Sequence, residues 1–476
     1  MERFRATVRS LLMLMERNPE MTVAASSAAM YAYLRDVDRE LFEKIVQRVH
    51  EGRWEPVGGM WVEPDEHVPG GESYVRQLLL GQEFFAHYLG RPARVAWSPD
   101  SFGRYGNLPR MLAGSGLDYF VFKRPERHQK ALPDLFWWTG TDGSKLLTLH
   151  IREYGTWGNS LMRALDGVVR DLGSATRHGM LLYGVGNHGG GPTQANLDAL
   201  RERQRNSHGP AIRFSTPEEY FAAVVAAGDE LPVWSGDLDR FVAGGYSSHI
   251  ELKRSFRAVE AALLTADAAS SLSEAIAGRA AQHDEMTRAW RRLAFNHFHD
   301  IAAGTSMAEA HEAVFDELGE ARAIARDVTI GATHSIANRV EIPACENGQA
   351  LVVFNPNGHA TRQFVVTNVP ALELPTLQGD WAETHRLLGE DGCEIPAQGI
   401  FVSSLPFHRL GFTVELPPLS YRVLRLVPRD EAPVPAEGGS LFTGETVLEN
   451  DAFRLTIDPV SGTIASLLNR EHGLEV

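Results

Sequence analysis

The sequence predicts a multidomain chain whose class changes twice, from α/β to all-helical to all-β. Three observations predict this. Up to about residue 235, short apolar runs alternate with stretches of helical period, the pattern of a parallel sheet with crossover helices. From His249 to Arg339 the chain is rich in Ala and charged residues at helical spacing, clearest in AVEAALLTADAASSLSEAIAG. After Ala350 the apolar residues alternate in short runs (LVVFN, QFVVTNV, RLGFTVEL, YRVLRLV) punctuated by Pro and Gly, as in a β-sandwich. The expected domains are therefore 1–235 (α/β), 236–340 (helical) and 341–476 (β).

In order, Phe4–Met15 reads as an amphipathic helix, Met21–Ala25 as a strand and Ser27–His50 as helix in two pieces. Trp54–Met60 is a strand, and Ser73–Tyr88 a helix with Val75, Leu78, Leu79, Phe84 and Phe85 on its apolar side. Strand 94–97, helix 107–113 and strand 119–122 follow. Leu135–Trp138 and Lys145–Ile151 form a hairpin around Thr141-Asp142-Gly143-Ser144. Leu161–Leu172, Gln194–Arg203 and Pro217–Ala227 are helices, the last with Pro in its first turn. Met180–Tyr183 and Ile212–Ser215 read as strands between them. Roughly three long helices fill 249–339, interrupted at 295–306. Pro428–Ser440 reads as a linker, and 453–457 with 463–468 as a last hairpin.

The composition, 43% apolar and 22% charged, is that of ordinary globular material. A net charge of −15 argues against nucleic acid or an anionic membrane as partner and is compatible with a neutral sugar. Cys345 and Cys393 are too few for a disulfide framework or a cysteine zinc site. The apolar run Leu11–Met15 is too short for a signal peptide, and no stretch approaches the roughly 20 residues that span a bilayer. A cytoplasmic location is the expectation, and a homo-oligomer is left open.

Trp97-Ser98-Pro99-Asp100-Ser101-Phe102-Gly103 stands at the end of a predicted strand and just before a helix, where α/β proteins keep reactive groups. By position alone the better reading of Asp100 is a cap of the helix that follows. Gly184-Val185-Gly186-Asn187-His188-Gly189 is literally GxGxxG after a predicted strand. The glycines run on into Gly190-Gly191-Pro192, and the next predicted strand ends without the acidic residue a ribose requires, which argues against a dinucleotide site. His297 and His299 lie two apart, so they fall on different faces of a helix and do not form a metal pair on one face.

WSPDSFG at 97–103 and LPRMLAGSGLDYFVFKR at 108–124 resemble the signature of family 38 glycoside hydrolases, the retaining α-mannosidases. GRWEPVGGMWVEPDE at 52–66, GNHGGGPT at 186–193 and FNHFHDIAAGTS at 295–306 agree, in the family's order. The resemblance implies a barrel-like α/β catalytic domain, a three-helix bundle and β-sandwich material that is incomplete. It implies that Asp100 is the nucleophile and a ligand of Zn2+, that His299 is a second zinc ligand, and that Asp300 binds sugar hydroxyls. A retaining glycosidase needs such an attacking carboxylate, and imidazole and carboxylate suit zinc. The family's Gly-rich loop commonly holds an Asp. This chain has Asn187-His188, so His188 is the candidate general acid and a plain backbone turn is the competing reading. Arg124 matches an Arg that supports the nucleophile. Phe102 and Trp61 are candidate sugar platforms, though such aromatics are more often core. No role is assigned to His297, Asp65 or Glu66.

The family's opening strand carries a His-x-Asp motif with two further zinc ligands. The resemblance aligns residue 1 with the helix after that strand, so those ligands have no counterpart here. The expectation is a zinc-dependent retaining α-mannosidase acting on terminal α-mannosyl residues, impaired over residues 1–476 as given. Two rivals remain: a metal-dependent carbohydrate deacetylase, in which an Asp serves as base, and a non-catalytic carbohydrate-binding fragment.

Overall fold

The structure, a computed structural model, describes residues 2–156, 160–172, 176–185, 190–206, 209–239, 241–342, 348–370, 385–400, 407–429 and 442–476. It divides into two compact units, Met1–Ala332 and Thr333–Val476. The first unit runs α1 (Glu2–Arg17), β1 (Val23–Ala25), α2 (Ala28–Val37), α3 (Arg39–His50), β2 (Trp54–Pro56), α4 (Gly71–Leu89), β3 (Val95–Ser98), α5 (Leu108–Gly114) and β4 (Tyr119–Phe122). It continues with β5 (Leu135–Thr139), β6 (Lys145–His150), α6 (Ser160–Asp171), α7 (Gln194–Asn206), α8 (Pro217–Ala227) and β7 (Val233–Ser235). The helical region follows: α9 (Ile250–Ala277), α10 (His283–Asn296), the one-turn α11 (His299–Ala302) and α12 (Ala308–Ala337).

β3, β4 and β6 pair in parallel, and β5 lies antiparallel to β6 and parallel to β7, giving the order β3-β4-β6-β5-β7. β1 and β2 form a separate parallel pair. Gly58 N–H, just past β2, donates to the Val95 carbonyl at 2.8 Å and ties that pair to β3. The expected hairpin is the β5–β6 ladder, closed by Gly140 N–H to the Ser144 carbonyl at 2.8 Å.

Among the described residues the sheet stays open and closes no barrel. The stretches 180–183 and 212–215, expected as strands, enter no ladder. Their apolar alternation has another cause. Met180 and Leu182 pack on one hydrophobic cluster, while Leu181 and Tyr183 pack on another. Two-sided burial gives the same period of two as a strand does, whether or not the backbone is paired.

Gly81 on α4 sets the close packing near the site. A Cβ there would come within 2.5 Å of the Gly59 carbonyl oxygen, so the 59–62 segment lies directly on the helix. One turn earlier Gln77 locks that contact. Its amide oxygen accepts from Val62 N–H at 3.1 Å, and its amide nitrogen donates to the Ala294 carbonyl on α10 at 2.6 Å. α4 thereby holds the motif at 52–66 against the helical region.

Glu55 on β2 is buried at the N-terminus of α8, where its Oε2 accepts from Glu218 N–H at 3.0 Å and Oε1 has no partner. Burial pushes this carboxyl up to about 7, against a hydrogen bond to the backbone of Glu218 that pulls it down. The folded pKa lies above the unfolded one, so the stabilisation is whole below the unfolded value and is lost as pH rises towards 7. Glu55→Gln is therefore expected to gain stability relative to the parent between pH 5 and pH 8, by about 2 kcal/mol. Denaturant melts at both pH values check this, and a gap that does not change with pH contradicts it.

In the second unit one antiparallel sheet contains Gln349–Asn355, His385–Leu388, Glu394–Ile395 and Ser420–Pro428, and another Thr361–Pro370, Ala397–Ile400 and Phe407–Leu416. Leu387, Leu424 and Leu426 of the first meet Val369, Leu410, Phe412, Val414 and Leu416 of the second in one core, as alternation across two facing sheets requires. A separate five-stranded meander spans Phe442–Glu475. Among the described residues no helix is long and apolar enough to cross a membrane.

Candidate active site

The centre of the site follows from strand register. β3 and β4 pair with Ser98 opposite Phe122, and Asp100 and Arg124 each lie two residues beyond those partners. Equal overhangs from parallel neighbours put the two side chains together at the C-terminal edge of the sheet. Arg124 Nε donates to Asp100 Oδ1 at 3.1 Å, and Nη1 donates to Glu126 Oε1 at 2.6 Å. The Asp100 side chain is 32% exposed and that of Arg124 18%, so the pair sits at an open mouth. The guanidinium lies 4.3 Å from the centre of the Phe241 ring. Phe241 packs on Phe102 (centroids 5.7 Å apart), and Phe102 meets the His299 ring edge-on at 5.9 Å. A continuous line of contacts thus joins Asp100, Arg124, Phe102 and His299.

His299 starts α11, and the chain bends between α10 and α11 so that His297 and His299 have separate surroundings. His299 is 4% exposed. Its Nδ1 lies 2.9 Å from the Glu63 carbonyl, which also accepts the His299 backbone N–H at 3.3 Å. A carbonyl only accepts, so Nδ1 carries a proton, which leaves Nε2 as the nitrogen that could bind a metal. His297 is fully buried, with Glu260 at 3.6 Å, and burial pushes its imidazole down to about 4.

Two groups escaped the sequence reading. Burial pushes the Glu63 carboxyl up, and His299 and a hydrogen bond from Ser26 oppose this while nearby Asp100 adds to it. Glu63 thus places a second carboxyl within electrostatic reach of Asp100. Its position in an otherwise apolar run, between Val62 and Pro64, was the available signal. Tyr154 follows β6, the third parallel strand. Burial raises its hydroxyl pKa, and the nearby Asp100 carboxylate raises it further. The rule that selected Asp100, a residue just past the end of a parallel strand, selects Tyr154 as well.

The other expected residues are placed differently. Asp300 is exposed beside His299, and its carbonyl accepts from Thr305 Oγ1 at 3.1 Å. Trp61 is 6% exposed, packs on Phe84 and lies under the Arg291 guanidinium at 5.0 Å, which is a core position. His188 lies outside the described residues.

Zinc needs at least three protein donors at a working site. Asp100 and His299 Nε2 are of the right chemistry. Among the described residues, however, no three His, Cys, Asp or Glu side chains converge closely enough to hold a metal. The described donors do not fit zinc by themselves, and no step below runs through it.

The glycosyl hydrolases family 38 N-terminal domain matches residues 1–237, and the alpha mannosidase middle domain matches 240–336. Human alpha-mannosidase 2C1 is 34% identical over 320 residues, covering 63% of this chain and 30% of the human protein. The alpha-mannosidase of Saccharomyces cerevisiae is 30% identical over 324 residues, covering 63% of this chain and 30% of its own length. The chain spans about a third of the length of these relatives. An alpha-mannosidase from Enterococcus faecalis V583 superimposes over 100% of this chain and 59% of its own, with a TM-score of 0.82 at 20% identity, a likeness of fold. With both domain types present in order over 1–237 and 240–336, the chain belongs to glycoside hydrolase family 38.

Proposed function

We propose that this site hydrolyses terminal α-mannosyl linkages with retention of configuration, with Asp100 as nucleophile. The observation that carries the proposal is the Asp100–Arg124 pair, at 3.1 Å, on the C-terminal edge of adjacent parallel strands. Arg124 holds Oδ1, and Oδ2 is the oxygen proposed to attack. In the first step Oδ2 bonds to the anomeric carbon, the glycosidic C–O bond breaks, and the leaving oxygen takes a proton from a general acid. His188 is the residue proposed for that acid. In the second step water attacks the anomeric carbon, the same group takes the water's proton, and the Asp100 carboxylate leaves. Arg124 stabilises the charge that returns to Asp100 in that step.

Phe102, only 7% exposed, backs the site through Phe241 and His299 rather than facing a sugar, and Asp300 beside His299 is exposed for contact with sugar hydroxyls. Zinc would enter the proposal only with donors beyond the two that the described residues offer, Asp100 and His299, and its chemistry there would be to bind and polarise the sugar's vicinal hydroxyls. Terminal α-mannosides are the proposed partner class, in the cytoplasm. The proposal is tested by following an aryl α-mannoside by proton NMR. α-Mannose as the first product is expected, and β-mannose formed first contradicts retention.

A further inference from the structure

Arg104 is fully buried beneath the site, and the mechanism above does not use it. Its main chain is fixed by a two-way bridge to Leu238, with both N–H···O distances at 2.8 Å. The loop around it has no spare room, since a Cβ on Gly106 would approach the Gly236 carbonyl carbon to 2.8 Å. The side chain spans three segments. Nη2 donates to the Ser98 carbonyl at the end of β3, Nη1 donates to the Arg124 carbonyl past the end of β4, and Nε lies 2.9 Å from Glu66 Oε2. The guanidinium carbon lies 5.3 and 5.2 Å from the Phe120 and Phe122 ring centres, so β4 supports the group from one side.

The carbonyls at the ends of β3 and β4 lie where the ladder stops, and buried carbonyls need donors. A guanidinium is the one side chain whose rigid fork can serve two of them together, and here its Nε lies against the Glu66 carboxyl without forming a hydrogen bond; a lysine ammonium has no such fork. One clamped carbonyl belongs to the Asp100–Arg124 pair and the other lies just before it. Ser98 is two residues from Asp100, and Arg124 is itself the residue that holds Asp100. Glu66 lies in the segment that continues back to Glu63, whose carbonyl fixes His299 Nδ1.

We propose that Arg104 is a positioning residue that sets the spacing of the Asp100 and Arg124 loops, and thereby the aim of the nucleophile. The inference rests on the glycosidase reading for its kinetic consequence, but not for the clamp itself. Arg104→Met combined with Glu66→Leu removes the ion pair whole, so that neither partner is stranded, and nearly keeps the volume. The expected result is a chain that still folds but melts lower, because the Ser98 and Arg124 carbonyls lose their donors, with kcat on an aryl α-mannoside lowered about 100-fold, as for a displacement of about 1 Å, and KM within about twofold. Amide exchange at 99–104 and 123–127 should quicken about tenfold while Val95–Trp97 stays protected. Parental kcat and exchange overturn the proposal, as does an equal fall of kcat and substrate binding. If the double variant does not fold, Arg104→Lys decides. It keeps the charge for Glu66 but cannot serve both carbonyls, so the same kcat loss and faster exchange are expected, and parental values overturn the proposal. If the parent itself does not turn over the mannoside, the glycosidase reading fails, and exchange alone decides the clamp: quickened exchange supports it and unchanged exchange overturns it.

Discussion

Asp100→Asn is expected to lower turnover of an activated aryl α-mannoside by on the order of 10⁴-fold or more, in any form of the protein that shows turnover, while leaving the fold intact. The amide keeps the volume and one hydrogen bond to Arg124 but cannot form the glycosyl ester. Stability should hold because the lost ion pair is partly exposed, at 32% and 18% of its side chains. A pair so placed contributes about 1 kcal/mol or less. The chemical loss therefore exceeds the structural one by several kcal/mol, and steady-state rates beside a thermal melt separate the two. Rates near the parent's in the Asn variant remove Asp100 from the reaction.

The second large effect concerns metal. Residues 1–476 are expected to retain little zinc after dialysis, because among the described residues Asp100 and His299 are two donors where a stable site uses at least three. In a form that does hold zinc, His299→Ala should lower zinc content and activity together. Removing a direct donor should weaken binding by more than the roughly 10–100-fold typical of an outer-shell change. The substitution also removes the bond to the Glu63 carbonyl, a net loss of about 1 kcal/mol, so zinc must be measured on folded protein. Elemental analysis decides. Stoichiometric zinc in residues 1–476 would mean that residues outside the described set, His188 among them, complete the site. Stoichiometric zinc in the His299 variant would remove His299 from the donor set.

The local elements were legible in the sequence where one physical signal governed them. Strand 94–97 and strand 119–122 are short apolar runs closed by breakers, and β3 and β4 fall there. Once those strands pair in parallel, the neighbouring of Asp100 and Arg124 follows from counting residues past each end. The hairpin at 135–151 was legible through its turn residues. At 180–183 and 212–215 the same alternation marks burial on two sides without pairing, and a period of two cannot distinguish these cases.

The site was legible only in part. Glu63 reaches His299 through its backbone carbonyl, and a contact made by a carbonyl leaves no mark in residue type. Tyr154 reaches Asp100 only through the neighbouring of strands distant in sequence. Arg104 looks like any loop arginine until the ends of β3 and β4 are seen to meet on its guanidinium. Trp61 fails in the opposite direction. An aromatic inside a family motif suggests a platform, yet hydrophobic packing on Phe84 accounts for the residue type equally well.

The central claim is that Asp100 bonds to the sugar, and covalent trapping tests it most directly. The protein is incubated with an activated 5-fluoro mannosyl fluoride of the α series, digested, and its peptides are weighed and sequenced by mass spectrometry. Formation of a glycosyl ester on the peptide carrying Trp97–Gly103, localised to Asp100 and absent from Asp100→Asn, is the predicted result. A form that hydrolyses the aryl α-mannoside yet carries no label, or carries it on another side chain such as Glu63, would contradict the assignment.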